Sequence, residues 1–166
     1  MAQVTFKGNP VHTSGDLPQK GTEAFDFSLT SQDLQEHSLQ DYAGTRKILN
    51  IVPSLDTGVC AASAKTFEAR ADKLENTVVI TVSMDLPFAQ KRFCSAEGIE
   101  NVVTLSAFRS SDFAHNYGVE MVDGPMRGLL ARAVVVLDEK NRVTYTELVP
   151  EIAQEPDYDA AVAALG

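Results

Sequence analysis

Residues 46–67 read RKILNIVPSLDTGVCAASAKTF, and this stretch decides the fold. Its apolar run ILNIV predicts a β-strand that is buried on both faces of a sheet. Pro53 ends that strand, and the apolar spacing becomes helical from about Gly58 to Leu74. Cys60 is therefore predicted to lie in the first turn of a helix that directly follows a central strand.

This position favours a reactive thiolate at Cys60. In open α/β sheets, ligands bind at the carboxyl ends of the strands. At the start of a helix the backbone N–H groups are unpaired and the dipole is positive, and both stabilise an anion. The neighbouring side chains are small and leave the sulfur approachable: Gly58, Ala61, Ala62 and Ser63. The alternative is that Cys60 packs as a small buried apolar residue, as most free cysteines do.

A helix terminus alone does not make the thiolate the dominant form. An ordinary cysteine is only a few per cent ionised at neutral pH. Reversing that balance requires ~2.7 kcal/mol, of which a helix terminus supplies about 0.5–2 kcal/mol. A nearby cation has to supply the rest, and the candidates are Arg92, Arg109 and Arg132. Thr57 either caps the helix or turns its hydroxyl towards a ligand beside the sulfur.

The rest of the chain alternates strands and helices. VTFKGNPVHTSG predicts an N-terminal β-hairpin that turns at Gly-Asn-Pro, and AFDFSLTS and HSLQDYAG predict short extended segments. NTVVITVSMD and VVTLSAF predict further strands, with a helix in PFAQKRFCSAEG from about Pro87 to Gly98 and a short helix in SSDFAHNYG. RAVVVLDEKNRVTYTELV predicts a strand, a turn and a strand, and PDYDAAVAAL a closing helix.

This order of elements predicts an α/β fold. One central mixed β-sheet is flanked by helices on both faces, and the N-terminal β-hairpin precedes it. A thioredoxin-like arrangement fits this order best. The length fits a single domain over residues 1–166, and we see no internal repeat or linker.

Composition excludes several classes of function. The net charge of -9 argues against nucleic acid as a partner, because phosphate binding needs a basic face. No apolar run approaches ~18 residues, so no membrane span is predicted. The start of the chain lacks the features of a secretory signal, so the cytoplasm is the expected compartment unless a signal has been removed. With two cysteines and three scattered histidines, we expect neither a disulfide scaffold nor a metal or other cofactor.

The spacing of Pro53, Thr57 and Cys60 resembles the active-site pattern of the peroxiredoxins. With DLPFAQKRFC downstream and RAVVVLDE later, the chain is similar to the bacterial thiol peroxidase branch, whose members are atypical two-cysteine peroxiredoxins. The resemblance runs over nearly all of the chain, including the N-terminal hairpin and the C-terminal PDYDAAVAAL. It implies a thioredoxin-like fold and the reduction of hydrogen peroxide and organic hydroperoxides.

The resemblance implies a role for each residue of the pattern. Cys60 is the peroxidatic cysteine, whose thiolate attacks the O–O bond and becomes a sulfenic acid. Thr57 orients the peroxide through its hydroxyl, and Pro53 shields the sulfur from bulk water. Arg132 supplies the missing cation and polarises the peroxide. From the residues alone, the backbone N–H groups of Val59 and Cys60 are further candidates to bind the substrate as charge develops on oxygen.

The resemblance also makes Cys94 the resolving cysteine. It implies an intrachain disulfide between Cys60 and Cys94, reduction of that disulfide by thioredoxin, and a homodimer. If the helix starts near Pro87, Cys94 lies roughly 10 Å along its axis, away from the end nearest Cys60. A disulfide needs Cα atoms within about 7 Å, so we expect the bond to form only after local unwinding. The alternative is that Cys94 is another buried helix cysteine.

Other functions stay open on the residues alone. A redox sensor or a thioredoxin-like binding module would use the same disulfide without turnover. A cysteine hydrolase needs a histidine base beside the nucleophile, and nothing in the sequence places His12, His37 or His115 there. A thiol–disulfide oxidoreductase more often carries Cys-x-x-Cys, whereas Cys60 is followed by Ala-Ala-Ser.

Overall fold

The computed structural model describes residues 1–166, with nine β-strands, four α-helices and one 3₁₀ helix. The strands are β1 (Gln3–Phe6), β2 (Asn9–His12), β3 (Leu29–Thr30), β4 (Glu36–His37), β5 (Arg46–Ile51), β6 (Thr77–Ser83), β7 (Val102–Ser106), β8 (Ala133–Leu137) and β9 (Val143–Leu148). The helices are α1 (Gly58–Ala71), α2 (Pro87–Glu97), α3 (Ser111–Asn116), α4 (Tyr158–Ala163) and the 3₁₀ helix Leu39–Tyr42. None of these helices combines the length and apolar character needed to cross a membrane.

Seven strands form one mixed sheet in the order β4-β3-β7-β6-β5-β8-β9. The central strands β5, β6 and β7 are parallel, whereas β8, β9, β3 and β4 pair antiparallel to their neighbours. The helices α1 and α2 connect the parallel strands. The predicted α/β fold, with a central mixed sheet flanked by helices and an N-terminal hairpin, is confirmed.

The central strand β5 divides its side chains between two hydrophobic cores. Leu49 and Ile51 enter the core on one face of the sheet, which also contains residues of α3. Ile48 enters the core on the other face, which contains Cys60 and other residues of α1 and α4. Every side chain of β5 after Arg46 is buried, as the apolar run predicted.

The hairpin turn starts one residue earlier than the predicted residues 8–10 and is only two residues long. Lys7 and Gly8 form the turn, both with positive φ (52° and 82°), and Asn9 and Pro10 belong to β2. A two-residue turn of this kind matches the twist of the strands and needs positive φ at both central positions. Pro10 has a fixed negative φ, so it is excluded from the turn but tolerated in a hairpin strand.

HSLQDYAG is extended only at its start, and the rest of that prediction was wrong. A 3₁₀ helix follows β4 because Ser38 and Asp41 form a capping box. The Ser38 hydroxyl accepts from the Gln40 N–H, and the Asp41 carboxylate accepts from the Ser38 N–H at 2.7 Å. These local side-chain bonds compete with strand pairing. Helix α1 also ends at Ala71, three residues before the predicted Leu74.

Candidate active site

The loop between β5 and α1 is fastened to the end of the neighbouring strand. The Asp85 carboxylate, just beyond β6, accepts from the Leu55 N–H at 2.8 Å and from the Ser54 hydroxyl at 2.7 Å. The first turn of α1 is therefore held beside the carboxyl ends of the parallel strands. This is where the sequence places Cys60, and where open α/β sheets bind ligands.

The N-terminus of α1 is left uncovered. Thr57 occupies the N-cap position, but its hydroxyl donates to the Ser54 carbonyl at 3.1 Å and makes no capping bond. The N–H groups of Val59 and Cys60 have no acceptor within the protein, and the first turn carries no acidic residue. Of the two alternatives for Thr57, side-chain capping is thus wrong, and the helix keeps free donors beside the sulfur.

Arg132 lies directly against the cysteine. Its Nη2 donates to Cys60 Sγ at 3.3 Å, and its Nε donates to the Ile152 carbonyl at 2.8 Å. Arg132 immediately precedes β8 and is only 2% exposed, so it is not a surface arginine. Its Nη1 is also buried and has no acceptor, so Arg132 keeps a donor for a ligand.

The charge of Arg132 has no carboxylate to balance it. None of the ion pairs in the protein includes Arg132. A buried cation without a counter-ion is costly by several kcal/mol, so the protein needs an anion there. Cys60 is the one ionisable side chain that Arg132 hydrogen-bonds. The Cys60 sulfur therefore lies against a buried positive charge that no carboxylate compensates.

The two other candidate cations are elsewhere. Arg92 is 74% exposed and lies 3.9 Å from the Asp56 carboxylate. Arg109 donates to the Glu36 carboxylate through its Nε at 2.8 Å. Neither contacts Cys60, which leaves Arg132 as the cation at the sulfur.

A cavity of about 190 Å³ lies over this helix start. It is lined by four residues that the sequence singled out: Pro53, Thr57, Val59 and Arg132. Cys60 has no exposed surface of its own, and Arg132 contacts both the sulfur and the cavity. The structure thus brings the predicted peroxide-binding residues together around one space.

Sequence reasoning missed the opposite wall of the cavity. That wall contains Phe6 from the hairpin, Met126 from the loop before β8, and Ile152 and Ala153 from the segment after β9. These residues are distant in sequence and carry no motif. The one available signal was the alternation of side chains along the hairpin strands. Because successive side chains point to opposite sides, the hairpin has two distinct faces, and one of them could be expected to pack against the rest of the protein.

Cys94 occupies a different environment from Cys60. It is 7% exposed on the inner side of α2. Burial raises the pKa of the Cys94 thiol, and hydrogen bonds with Gln32 and Thr104 only partly oppose that effect. Cys94 therefore stays a neutral thiol at neutral pH.

The two cysteines are free, and no disulfide joins them in this structure. Both side chains belong to the core on the same face of the sheet. Cys94 lies seven residues after Pro87 in α2, roughly 10 Å along the helix axis.

No histidine is placed to act as a base at Cys60. His12 Nδ1 lies 2.6 Å from Asp123, and His37 Nδ1 lies 3.0 Å from the Tyr42 hydroxyl. No histidine lines the cavity. The site therefore lacks what a cysteine hydrolase requires.

Comparison with known proteins identifies the family. A model of the redoxin family matches residues 19–162. The chain belongs to the redoxin family. It is 57% identical to a thiol peroxidase of Mycobacterium bovis over 166 residues, covering 100% of this chain and 99% of that protein. A thiol peroxidase of Mycobacterium tuberculosis matches with the same identity and coverage.

Within the family, this identity over the full length places the chain in the thiol peroxidase branch of the peroxiredoxins. The crystal structure of a peroxiredoxin-like protein from Aquifex aeolicus is 42% identical, with a TM-score of 0.92. That match covers 98% of this chain and 95% of the other. The thioredoxin-like peroxiredoxin fold expected from the sequence is confirmed.

The pairing of Arg132 with Cys60 predicts a specific loss of sulfur reactivity in Arg132→Met. In a Cys94→Ser background, alkylation of Cys60 at neutral pH should slow roughly ten- to hundredfold, since a charge-assisted hydrogen bond contributes about 1.5–3 kcal/mol. At strongly alkaline pH the rates should converge, because the thiol then ionises without help. Arg92→Met is the control and should react like the parent. Equal rates for Arg132→Met and its parent at neutral pH would contradict the pairing.

Proposed function

We propose that this protein reduces hydrogen peroxide and organic hydroperoxides with Cys60 as the attacking thiolate. The observation that carries the proposal is the 3.3 Å contact between Cys60 Sγ and the buried, otherwise uncompensated guanidinium of Arg132. Membership of the thiol peroxidase branch supports the same reaction. The cavity at the start of α1, bounded by Arg132, gives a hydroperoxide a place to bind next to the sulfur's partner.

In the first step the Cys60 thiolate attacks the terminal oxygen of the hydroperoxide. The S–O bond forms, the O–O bond breaks, and the electron pair leaves on the other oxygen. That alkoxide or hydroxide takes a proton from solvent and departs as alcohol or water. Cys60 becomes a sulfenic acid.

The surrounding donors stabilise this step. The Arg132 Nη1 and the N–H groups of Val59 and Cys60 have no acceptor in the protein, so they are available to the leaving oxygen. The proton of Thr57 is committed to the Ser54 carbonyl. Thr57 Oγ1 therefore accepts from the peroxide O–H and points the terminal oxygen at the sulfur. Pro53 closes one side of the cavity and limits access by water.

In the second step Cys94 resolves the sulfenic acid. Its sulfur attacks Cys60 Sγ, the S–S bond forms, and the hydroxyl leaves as water with the Cys94 proton. Cys94 lies roughly 10 Å along α2 from the end nearest Cys60, and both cysteines are held in helices, so we propose that α1, α2 or both unwind locally first. Formation of the Cys60–Cys94 disulfide therefore involves a conformational change as well as a chemical step.

The far ends of α1 and α2 are fastened and resist unwinding. Lys65 Nζ lies 2.7 Å from the Glu97 carboxylate, joining the two helices directly. The Glu68 carboxylate accepts from the N–H groups of residues 100–102 at 2.8–3.0 Å, which ties α1 to the start of β7. Both links lie beyond the cysteines along their helices.

The near ends lack side-chain caps, and the main link in the first half of α2 is Gln90 Nε2, which donates to the Ser83 hydroxyl and the Leu105 carbonyl, both at 3.1 Å. Thr57 and Leu86, at the N-cap positions of α1 and α2, make no side-chain capping bond. Leu86 and Phe88 are 51% and 65% exposed, so these two side chains lose little packing when the turn opens, whereas Pro87 beside them is buried. We propose that the first turn of α1 and the N-terminal half of α2 unwind, and that the Lys65 and Glu68 links set the limit.

Thioredoxin is the proposed reductant of the disulfide. A thiolate of the reductant attacks one sulfur of the Cys60–Cys94 bond and forms a mixed disulfide. A second thiol of the reductant then displaces this protein's cysteine, so the reductant leaves with its own disulfide and both cysteines return to thiols. We also propose a homodimer. The large exposed apolar side chains of Leu86, Phe88 and Phe108 support an association surface on this protein.

An assay coupled to thioredoxin and its reductase should distinguish the roles of the two cysteines. Cys60→Ser should abolish peroxide consumption, because it removes the nucleophile. Cys94→Ser should consume about one equivalent of peroxide per chain and then stop, because the sulfenic acid is not resolved. Wild-type protein should consume a large excess at catalytic concentration. A stoichiometric reaction in the wild type would favour a redox sensor, and full turnover in Cys60→Ser would refute the proposal.

Hydrogen exchange should locate the unwinding. Oxidation to the disulfide should raise amide exchange in residues 61–62 and 90–93, because their N–H groups donate to carbonyls of the turns that unwind. Residues 100–102, held by Glu68, should keep their protection. Peroxide-treated Cys94→Ser is the control and should show neither change. Loss of protection throughout both helices, or in neither, would contradict the proposed limits.

A further inference from the structure

The guanidinium of Arg132 has a second attachment that lies outside the reactive centre. Its Nε donates to the Ile152 carbonyl at 2.8 Å. Ile152 is in the irregular segment between β9 and α4, so its position is not set by the sheet. The direction in which Arg132 presents Nη2 to Cys60 therefore depends on what holds this segment.

The N-terminal hairpin holds it through the backbone. The Thr5 N–H donates to the Pro150 carbonyl at 2.7 Å, and the Ile152 N–H donates to the Thr5 carbonyl at 2.8 Å. Ile152 itself is buried. The hairpin pairs with no strand of the seven-stranded sheet, so these bonds are a main connection between the two.

One side chain completes the connection. Glu151 Oε1 accepts from the Gly8 N–H at 2.9 Å and from the Thr5 hydroxyl at 3.2 Å, both in the hairpin. Glu151 Oε2 accepts from the Ala153 N–H at 2.8 Å, within its own segment. We call these contacts of Thr5, Gly8 and Ala153 with the carboxylate the Glu151 bridge.

The carboxylate is suited to this task. Hydrogen bonds from the Ala153 and Gly8 N–H groups lower the pKa of the Glu151 carboxyl, so both oxygens remain acceptors at neutral pH. Two acceptor oxygens are needed, since one serves the hairpin and the other serves the segment. A neutral or shorter side chain serves at most one of them.

The same bridge shapes the cavity. Phe6, next to Thr5, lines the cavity from the hairpin, and Ile152 and Ala153 line it from the segment. Movement of the segment away from the hairpin therefore opens the cavity wall as well as releasing Arg132.

We propose that Glu151 is a positioning residue for the reaction at Cys60: it fixes the segment whose Ile152 carbonyl orients Arg132 against the sulfur. The proposal rests on the function proposed for Cys60 and Arg132. Glu151 acts through the backbone and through Arg132, and it does not touch the reacting atoms.

The test is a double-mutant cycle read by alkylation of Cys60 in a Cys94→Ser background at neutral pH. Glu151→Ala should slow alkylation about five- to tenfold, because Arg132 loses its fixed orientation. In Arg132→Met the same Glu151→Ala change should have no further effect, since the group it positions is already gone. Glu151→Gln retains one acceptor oxygen, so its alkylation rate at Cys60 should lie between that of the parent and that of Glu151→Ala.

Glu155→Ala is the matched control, because Glu155 lies in the same segment and accepts only from the Tyr158 hydroxyl. Cys60 of the Glu155→Ala protein should be alkylated at the same rate as Cys60 of its parent. In otherwise wild-type protein, Glu151→Ala should lower kcat for hydrogen peroxide and additionally raise KM for a bulky hydroperoxide, through the cavity wall. If Glu151→Ala does not fold, Glu151→Gln is taken through the same cycle.

An unchanged alkylation rate in Glu151→Ala, or an equal loss with and without Arg132, would overturn the positioning role. These outcomes do not depend on peroxide turnover. Coupling between Glu151 and Arg132 together with full turnover in Cys60→Ser would leave the positioning role standing and refute the proposed function instead.

Discussion

The hydrogen bond between Arg132 Nη2 and Cys60 Sγ is the interaction on which the site depends. The guanidinium is buried, has no carboxylate partner and keeps one unused donor. In a protein interior that arrangement is costly unless an anion sits beside it, and the sulfur is the group available to ionise. The free N–H groups at the start of α1 act in the same direction. Negative charge on the sulfur and positive charge on the arginine therefore stabilise each other, and this stabilisation is lost if either group is removed.

The two cysteines of one chain have different surroundings. Cys60 lies against a cation and an uncovered helix start, whereas burial raises the pKa of the Cys94 thiol. In the proposed reaction Cys60 attacks the peroxide and Cys94 resolves the product. In the same proposal the links made by Lys65 and Glu68 hold the far ends of the two helices, so that only their near ends open.

Much of the fold and of the near wall of the site could be predicted from the sequence, because local rules govern them. The apolar run of β5, the break at Pro53 and the helix after it placed Cys60 correctly. Assigning Arg132 to the sulfur needed the family resemblance, since the strand pattern alone fits a surface arginine. The Ile152 carbonyl and the Phe6 wall could not be predicted, because they arise from contacts between distant segments. The errors at the hairpin turn and at Leu39–Tyr42 have a different cause: short-range turn and capping chemistry outweighed the alternation of apolar residues.

The most direct measurement of the central claim is the rate at which hydrogen peroxide oxidises Cys60 in reduced Cys94→Ser protein, with and without the Arg132→Met change. If the guanidinium activates the sulfur, Arg132→Met slows this oxidation about tenfold or more. Equal rates in the two proteins would contradict the central claim.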